Sequence, residues 1–202
     1  MTYATALQPC FWPPHATRYR VRMEPVGQDR SDEQLMLAYA AGDARAFDAL
    51  YARFATRLLR YLTRLVSRPS VAEELFQDTW QRAIDARQRY QPTARFAAWL
   101  FRIAHHLAID HIRREQPQVD VSVLTHLPDT SAAPLQAIED EAQLQRLVDA
   151  LDTLPAEQRA VVLLRAEGDL TLEEIAATMN TGRETIKSRL RYALAKLKEA
   201  LR

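Results

Sequence analysis

The chain has 202 residues, of which 48% are hydrophobic and 26% are charged, and its formal net charge is +1. This composition is ordinary for a soluble globular protein of one large or two small domains, and the net charge does not by itself indicate nucleic acid. Cys10 is the only cysteine, which excludes an intrachain disulfide, and no apolar run approaches the roughly 18 residues of a membrane span. We therefore expect a protein of the reducing cytoplasm without membrane insertion.

The first 30 residues contain four of the ten prolines and no helical period, so they are predicted to form a disordered leader. Cys10 and His15 in this segment are too isolated to form a metal site. The chain has only four glycines and no sustained alternation of apolar and polar residues. These features favour an all-α fold after the leader.

Ordered structure is predicted to begin at Ser31, which forms a capping-box pattern with Gln34. Apolar residues at helical spacing continue to residue 66, and Gly42 with Asp43 marks a turn within this stretch. The pattern predicts a pair of helices joined by that turn.

A third helix is predicted at 71–90, with Ser70 and Glu73 as its capping box. Its apolar residues repeat at helical spacing and are assigned to the core. Its polar residues are left for solvent or for a partner protein: Glu73, Glu74, Gln77, Asp78 and Gln81.

A fourth helix is predicted at 95–115 and is apolar over a wide arc, as expected for the central helix of a bundle. Its aromatic residues could stack on unpaired bases, but their helical spacing favours packing. The remaining stripe consists of Arg102, His105, His106, Ile109 and Arg113, with Arg114 at the end. The arginines are the better candidates for DNA contacts. No metal site is predicted, because adjacent histidines on a helix cannot face one ion.

The next segment, 116–134, contains three prolines and no helical period, which predicts a flexible linker. Acidic residues outnumber basic ones from this linker through the following predicted helix at 135–151. Another helix is predicted to open near Pro155 and to end before Gly168. The linker therefore separates two small helical domains.

The last stretch contains two helix starts, because Thr171 with Glu174 and Thr181 with Glu184 both form capping-box patterns. A short helix at 172–179, a turn and a longer helix from Arg183 to about residue 201 match a helix-turn-helix. The polar face of the longer helix carries Glu184, Thr185, Lys187, Ser188, Arg191 and Tyr192. Although such a face can simply be solvated, its basic charge on a second helix favours binding in a DNA major groove.

Three signatures occur in order along the sequence. The first is EELFQDTW, the second is FAAWLFRIAHHLAIDHIRR, and the third is LPAEQRAVVLLRAEGDLTLEEIAATM followed by ETIKSRLRYALAKL. Together they resemble the extracytoplasmic-function type of bacterial sigma factor. The resemblance implies that residues 31–115 form sigma region 2, which binds core RNA polymerase and recognises and melts the minus-10 element. It implies that 116–134 is an acidic linker and that 135–202 is region 4, which recognises the minus-35 element.

The resemblance also implies roles for individual residues. The third helix would dock on the polymerase through Glu74, Leu75, Gln77, Asp78 and Gln81. The fourth helix and the loop before it would hold the melted non-template strand through Arg95, Arg102, His105, His106, Asp110, Arg113 and Arg114. The last helix would bind the upstream duplex through Arg183, Glu184, Thr185, Lys187, Ser188 and Arg191.

Two positions depart from the family pattern. Members often have asparagine where His106 stands, so the resemblance does not specify which base His106 would contact. The recognition helix usually starts with glycine-threonine-valine, where this chain has Arg183-Glu184-Thr185-Ile186. Glu184 can therefore serve as a helix cap, as an acceptor for a cytosine amine, or as both in different states. The geometry of the predicted capping box favours the cap.

The expected partners are core RNA polymerase, promoter DNA as duplex and melted single strand, and the anti-sigma factor that members of this family often have. No cofactor is implied. A runner-up function is a helix-turn-helix regulator that binds duplex DNA without polymerase, but the arginine-lined fourth helix followed by an acidic tether argues against it. An enzyme is not expected, because the sequence has no glycine-rich phosphate loop, nucleophile elbow or metal-ligand spacing.

Overall fold

The structure is a computed structural model that describes residues 30–66, 68–115 and 141–200, and within these ranges it is all-α, as predicted. The α-helices of the described chain are α1 (Asp32–Ala40), α2 (Ala44–Val66), α3 (Pro69–Asp85), α4 (Phe96–Glu115), α5 (Glu141–Asp152), α6 (Ala156–Ala166), α7 (Leu172–Thr178) and α8 (Arg183–Ala200). The predicted leader, the predicted linker and the predicted helix start at 135 lie outside the described residues.

Helices α1 to α4 pack on one another and are called here the N-terminal bundle. Its core is aromatic where α2 meets α4. The ring centroids of Phe54 and Phe96 lie 5.2 Å apart, and those of Tyr61 and Phe101 lie 5.4 Å apart, both edge-to-face. Phe96 and Phe101 are fully buried, so the interpretation of these aromatic residues as packing residues is confirmed.

Helices α5 to α8 form the C-terminal bundle, in which α8 packs against all three of its neighbours. Ile175, Ile186 and Leu197 are buried at its centre and anchor α7 and α8, the two helices of the predicted helix-turn-helix. The turn between α6 and α7 requires Gly168, because a Cβ atom there would lie 2.6 Å from the Leu164 carbonyl oxygen.

Two of the predicted capping boxes are confirmed. At the start of α1, the Gln34 N–H donates to Ser31 Oγ and the Ser31 N–H donates to Gln34 Oε1. At the start of α7, the Glu174 N–H donates to Thr171 Oγ1 at 3.2 Å, and the Thr171 N–H donates to Glu174 Oε2 at 2.8 Å. These short-range patterns therefore locate the two helix starts correctly.

The capping box predicted at Ser70 and Glu73 is wrong, because α3 begins earlier, at Pro69, with Arg68 as its N-cap. Proline favours the first helical position, and the residue before it is pushed into extended backbone, which places Ser70 inside the first turn. The third helix is also shorter than predicted. It ends at Asp85, and a single 3-10 turn (Arg87–Arg89) follows.

The predicted start of α8 at Arg183 is confirmed, but the capping box predicted at Thr181 and Glu184 is wrong, because Gly182 rather than Thr181 directly precedes the helix. The Thr181 N–H donates to the Ala176 carbonyl at 3.0 Å, which closes the turn after α7 and leaves this N–H unavailable to Glu184. Asn180 takes up the left-handed conformation in this turn, with φ of 50°.

Candidate nucleic-acid and polymerase interface

The outer face of α8 carries the residues predicted to bind the upstream duplex. Arg183, Glu184, Thr185 and Lys187 are exposed, whereas Ser188 and Arg191 are half-buried. Ile186 is fully buried on the opposite side and holds this face outwards. The first turn and a half of α8 is therefore the part most accessible to a large ligand.

The charges at the start of α8 are partly paired with one another. Arg183 donates to the Glu173 carboxylate of α7 and lies 3.3 Å from Glu184 Oε1. The backbone N–H of Glu173 and then the Arg183 guanidinium lower the pKa of the Glu173 carboxyl. The Glu184 carboxylate faces Arg183 and Lys187 and does not cap the helix. Lys187, whose nearest carboxylate oxygen lies 4.0 Å away, is the most available cation of this face.

Arg191 is held against its neighbour Tyr192. Its guanidinium carbon lies 5.1 Å from the centroid of the Tyr192 ring, and Nη2 lies 3.4 Å from the Tyr192 hydroxyl. A guanidinium group that stacks on an aromatic ring has fewer side-chain orientations open to it. Arg191 is therefore oriented along the helix surface before any ligand arrives.

The outer face of α4 gathers most of the residues predicted to hold the melted strand. Arg102, His106, Asp110 and Arg113 follow one another along one exposed stripe, and exposed Arg114 lies beside it. This grouping gives α4 three arginines on an accessible surface. It is the arrangement expected for contacts to a nucleic-acid backbone.

His105 does not belong to this exposed stripe, because its side chain is only 5% exposed. Its Nδ1 atom lies 3.0 Å from the hydroxyl oxygen of Tyr61, which is a buried residue of α2. Burial, followed by the nearby His106 and Arg113, lowers the pKa of His105 to about 4. His105 is therefore not exposed while the bundles are in this arrangement, and its contact with the melted strand stays a prediction.

The buried histidine predicts an acid-sensitive fold. The pKa of His105 is about 4 in the folded protein and near 6.5 in an unfolded chain, so between these values the unfolded state binds more protons. Stability is thus fully present above about pH 6.5 and falls as the pH drops towards 4, by roughly 3 kcal/mol in total at ~1.4 kcal/mol per pH unit. Urea unfolding across this window measures the loss. The same pH slope in a His105→Asn variant would assign it to other groups.

Arg95, predicted to contact the melted strand, instead bridges to the C-terminal bundle. Its Nη1 donates to the Asp169 carbonyl at 2.9 Å and lies 3.4 Å from Glu174 Oε2, while Nη2 lies 3.5 Å from Asp169 Oδ2. In this structure the positive charge of Arg95 is therefore directed at carboxylates of the α6–α7 turn and α7.

A second contact joins the bundles through α2. The Arg57 Nε donates to the Glu167 carbonyl at 2.7 Å, and the Arg60 Nη2 lies 2.9 Å from Glu167 Oε2. The Glu167 side chain is only 13% exposed. Arg57, Arg60 and Glu167 are not among the site residues predicted from the sequence. The one signal for them was the spacing of Arg57 and Arg60, which places both on one face of α2.

A groove of about 340 Å³ lies between α4 and α7. It is lined by His105, His106, Ile109, Asp110, Arg113, Thr178, Met179 and Asn180. The α4 wall contains several residues predicted to hold the melted strand, and the other wall belongs to the helix-turn-helix. In this closed arrangement the C-terminal bundle therefore lies against one side of the α4 stripe.

The predicted polymerase-binding residues lie on α3. Glu74, Gln77, Asp78 and Gln81 are exposed and share one side of the helix. Leu75 is only 4% exposed and packs into the core of the N-terminal bundle, so it lies beneath this exposed side, and its contact with the polymerase stays a prediction. These four exposed side chains form a polar surface with two carboxylates, and exposed Glu73 lies next to it.

Neither a metal centre nor a membrane-spanning helix emerges from the part of the chain that the structure describes. Within residues 30–66, 68–115 and 141–200, no three side chains of the His, Cys, Asp and Glu types converge in a way that could hold an ion. Across those same ranges, every helix is too short or too polar to cross a bilayer.

Comparison with known proteins assigns a class to these two bundles. Residues 50–118 match the family model of sigma-70 region 2, and residues 150–199 match that of sigma-70 region 4. The RNA polymerase sigma factor CarQ of Myxococcus xanthus is 34% identical over 82% of this chain and 95% of its own. The ECF RNA polymerase sigma factor SigL of Mycobacterium tuberculosis is 38% identical over 80% of this chain and 92% of its own.

Solved structures agree with these sequence matches. The structure of CnrH in complex with the cytosolic domain of CnrY has a TM-score of 0.62 and 25% identity, and it covers 85% of this chain and 97% of that one. The sigma factor RpoE of Bartonella quintana, solved with the anti-sigma factor NepR, has a TM-score of 0.61 and 27% identity over 77% of this chain and 96% of its own. The chain belongs to the ECF RNA polymerase sigma factors. The region 2 match lies where a regulator would have its sensor domain, so the regulator interpretation is not favoured.

Proposed function

We propose that this sigma factor binds core RNA polymerase through region 2 at residues 31–115 and reads the upstream promoter element through region 4 at 135–202. The acidic segment 116–134 would connect the two. The observation that carries this proposal is the presence of two exposed basic helix faces, on α4 and on α8, in separate bundles. Two such faces suit two promoter elements on one DNA molecule.

The α4 face would hold the melted non-template strand. Its arginines, Arg102, Arg113 and Arg114, would contact phosphates, while His106 and Asp110 on the same stripe would face bases. Arg95 would join them once its carboxylate partners in the C-terminal bundle have moved away. Unstacking bases costs a few kcal/mol per step, which these contacts would offset.

The α8 face would bind the upstream duplex in the major groove. Arg183, Thr185, Lys187, Ser188 and Arg191 would supply phosphate and base contacts. Glu184 does not cap the helix, so its carboxylate would accept from a cytosine amine once Arg183 and Lys187 turn from it to the DNA.

The remaining partners follow from the family. The exposed carboxylates and amides of α3 would dock on the polymerase, and catalysis would belong to the polymerase rather than to this chain. The protein would act in the cytoplasm, where transcription occurs. An anti-sigma factor is a further proposed partner, because related chains have been solved with the anti-sigma factor NepR and with CnrY.

Start-site mapping of transcripts made by core polymerase on bacterial genomic DNA tests the proposal. Reactions with and without the purified protein are compared, and we expect new discrete start sites only with it. Their upstream sequences would define both promoter elements. If an active core polymerase produces no new start sites with the protein, the proposed function is contradicted. A regulator that binds duplex DNA without polymerase would then be favoured.

Lys187→Ala should weaken upstream-duplex binding and reduce the salt dependence of binding. Loss of one phosphate contact lowers the slope of log K against log salt by ~0.9. Lys196→Ala is the matched control, because Lys196 is exposed on the opposite side of α8. Holoenzyme binding to the mapped promoters, titrated with salt, provides the measurement. Equal slopes for Lys187→Ala and the control would remove Lys187 from the interface.

A further inference from the structure

A buried polar pair connects α2 and α4 beside the groove. Tyr61 is fully buried and stacks edge-to-face on Phe101, and its hydroxyl oxygen lies 3.0 Å from Nδ1 of His105. His105 is 95% buried, yet it also lines the groove between α4 and α7. One ring edge of His105 is therefore engaged inside the bundle, while the ring also reaches the groove wall.

The direction of this hydrogen bond follows from the burial of the hydroxyl. A buried tyrosine O–H needs an acceptor, and Nδ1 of His105 is its sole hydrogen-bond partner among the described residues. If Nδ1 carried the hydrogen instead, the hydroxyl hydrogen would be buried without an acceptor. Tyr61 therefore donates to an unprotonated Nδ1.

An unprotonated Nδ1 determines the other nitrogen. A neutral imidazole has one N–H, so the hydrogen of His105 is on Nε2. The lowered pKa of His105 keeps the ring neutral at ordinary pH. No acceptor for Nε2–H occurs among the described residues, because the Tyr61 bond is the one side-chain hydrogen bond of His105 there. Nε2–H is therefore an unused, uncharged donor of a ring that lines the groove together with His106 and Arg113.

We infer that Tyr61 is a positioning residue that locks His105 as an Nε2–H donor, and that this donor binds an acceptor atom of the melted promoter strand. The inference rests on the proposed function and identifies a contact for which family resemblance gives no geometry. Thr178, Met179 and Asn180 face His105 across the groove, so the donor becomes accessible when α7 withdraws. The acceptor is a base edge or a phosphate oxygen. Binding to a base edge depends on the DNA sequence, whereas binding to a phosphate oxygen does not.

The tautomer is tested on the free full chain by nitrogen NMR of His105. We expect Nε2 of the wild-type protein to resonate as a protonated nitrogen and Nδ1 as an unprotonated one. In Tyr61→Phe, which keeps the ring and its packing, we expect a mixture of tautomers. A protonated Nδ1 in the wild type, or an unchanged spectrum in Tyr61→Phe, would overturn the assignment.

The DNA contact is tested with two variants of His105, each of which keeps a polar group near only one of the two ring nitrogens. His105→Asn places an amide near Nδ1, so it keeps the Tyr61 bond and loses the groove donor. His105→Gln places its amide near Nε2, so it keeps the donor and loses the Tyr61 bond. Holoenzyme binding is measured on a mapped promoter whose strands are mismatched across the bubble.

We expect His105→Asn to bind this pre-melted promoter about threefold to tenfold more weakly than the wild type, with normal thermal stability. His105→Gln should bind nearly normally and be less stable. A purely structural role for His105 predicts the reverse order and would overturn the inference.

Substituting each base of the bubble in turn distinguishes a base-edge acceptor from a phosphate acceptor. A loss that is confined to one position assigns a base edge, and a loss that is uniform across sequences assigns a phosphate. If the wild-type holoenzyme produces no start sites, the proposed function itself has failed. Active wild-type holoenzyme with undiminished His105→Asn binding contradicts this inference alone.

Discussion

Asp78→Lys abolishes co-purification with core RNA polymerase while the protein stays folded. Asp78 is exposed on α3, and it has no ion pair or hydrogen bond within the described part of the chain, so its replacement leaves the bundle intact. Reversal of a charge inside a docking surface costs several kcal/mol, which corresponds to a loss of about a hundredfold in affinity. Pull-down with purified core enzyme measures the effect, and circular dichroism verifies the fold.

The control for this prediction is Glu199→Lys, which changes the same charge on the exposed last turn of α8. It should co-purify normally. Gln77→Ala, next to Asp78 on the same exposed side, should give an intermediate loss, since it removes contacts without reversing a charge. If Asp78→Lys co-purifies with core enzyme as the wild type does, α3 is not the docking helix.

Glu167→Lys opens the contact between the two bundles and raises the affinity of the free protein for promoter DNA. The variant places an ammonium against Arg60 at a site where the native carboxylate is mostly buried. Repulsion there separates the bundles and frees Arg95 and the α4 stripe. The apparent dissociation constant is inversely proportional to the open fraction, so we expect the affinity of the free protein for promoter DNA to rise by about tenfold or more.

Two controls separate opening from simple charge. Glu199→Lys adds the same positive charge away from the contact and should raise affinity only slightly. Arg60→Glu combined with Glu167→Lys restores an ion pair of reversed polarity and should return the binding to the wild-type level. Small-angle scattering should show a larger radius of gyration for Glu167→Lys alone. An unchanged radius together with unchanged binding would mean that this pair does not hold the bundles closed.

Much of the fold could be predicted because its signals are local. The helical spacing of α2 and the capping boxes at Ser31 and Thr171 depend on residues a few positions apart, and the structure confirms them. The two wrong caps were overruled by local chemistry of another kind. Proline fixed the start of α3, and the hydrogen bond from the Thr181 N–H to the Ala176 carbonyl keeps Thr181 in the turn after α7, so Thr181 does not cap α8.

The candidate site was less predictable, because its geometry depends on residues far apart in sequence. Family motifs place Leu75 and His105 on functional helices but do not distinguish the inward side of a helix from the outward side. Tyr61 and His105 are 44 positions apart, and Arg95 and Asp169 are 74 apart. No periodicity connects such pairs, so the exposed α4 and α8 faces were predicted while the buried pair and the bundle contact were not.

Glu174 has two tasks in the structure, and they can be separated. Its Oε2 atom accepts the Thr171 N–H at 2.8 Å and also lies 3.4 Å from Arg95. When Arg95 moves to another anion, the bond to Thr171 remains and the start of α7 stays intact. Loss of this contact therefore leaves the start of α7 folded, and we expect the bundles to separate by rigid movement, which in proteins occurs in microseconds to milliseconds. The two forms would interconvert rapidly, so a newly available polymerase would meet no slow refolding step.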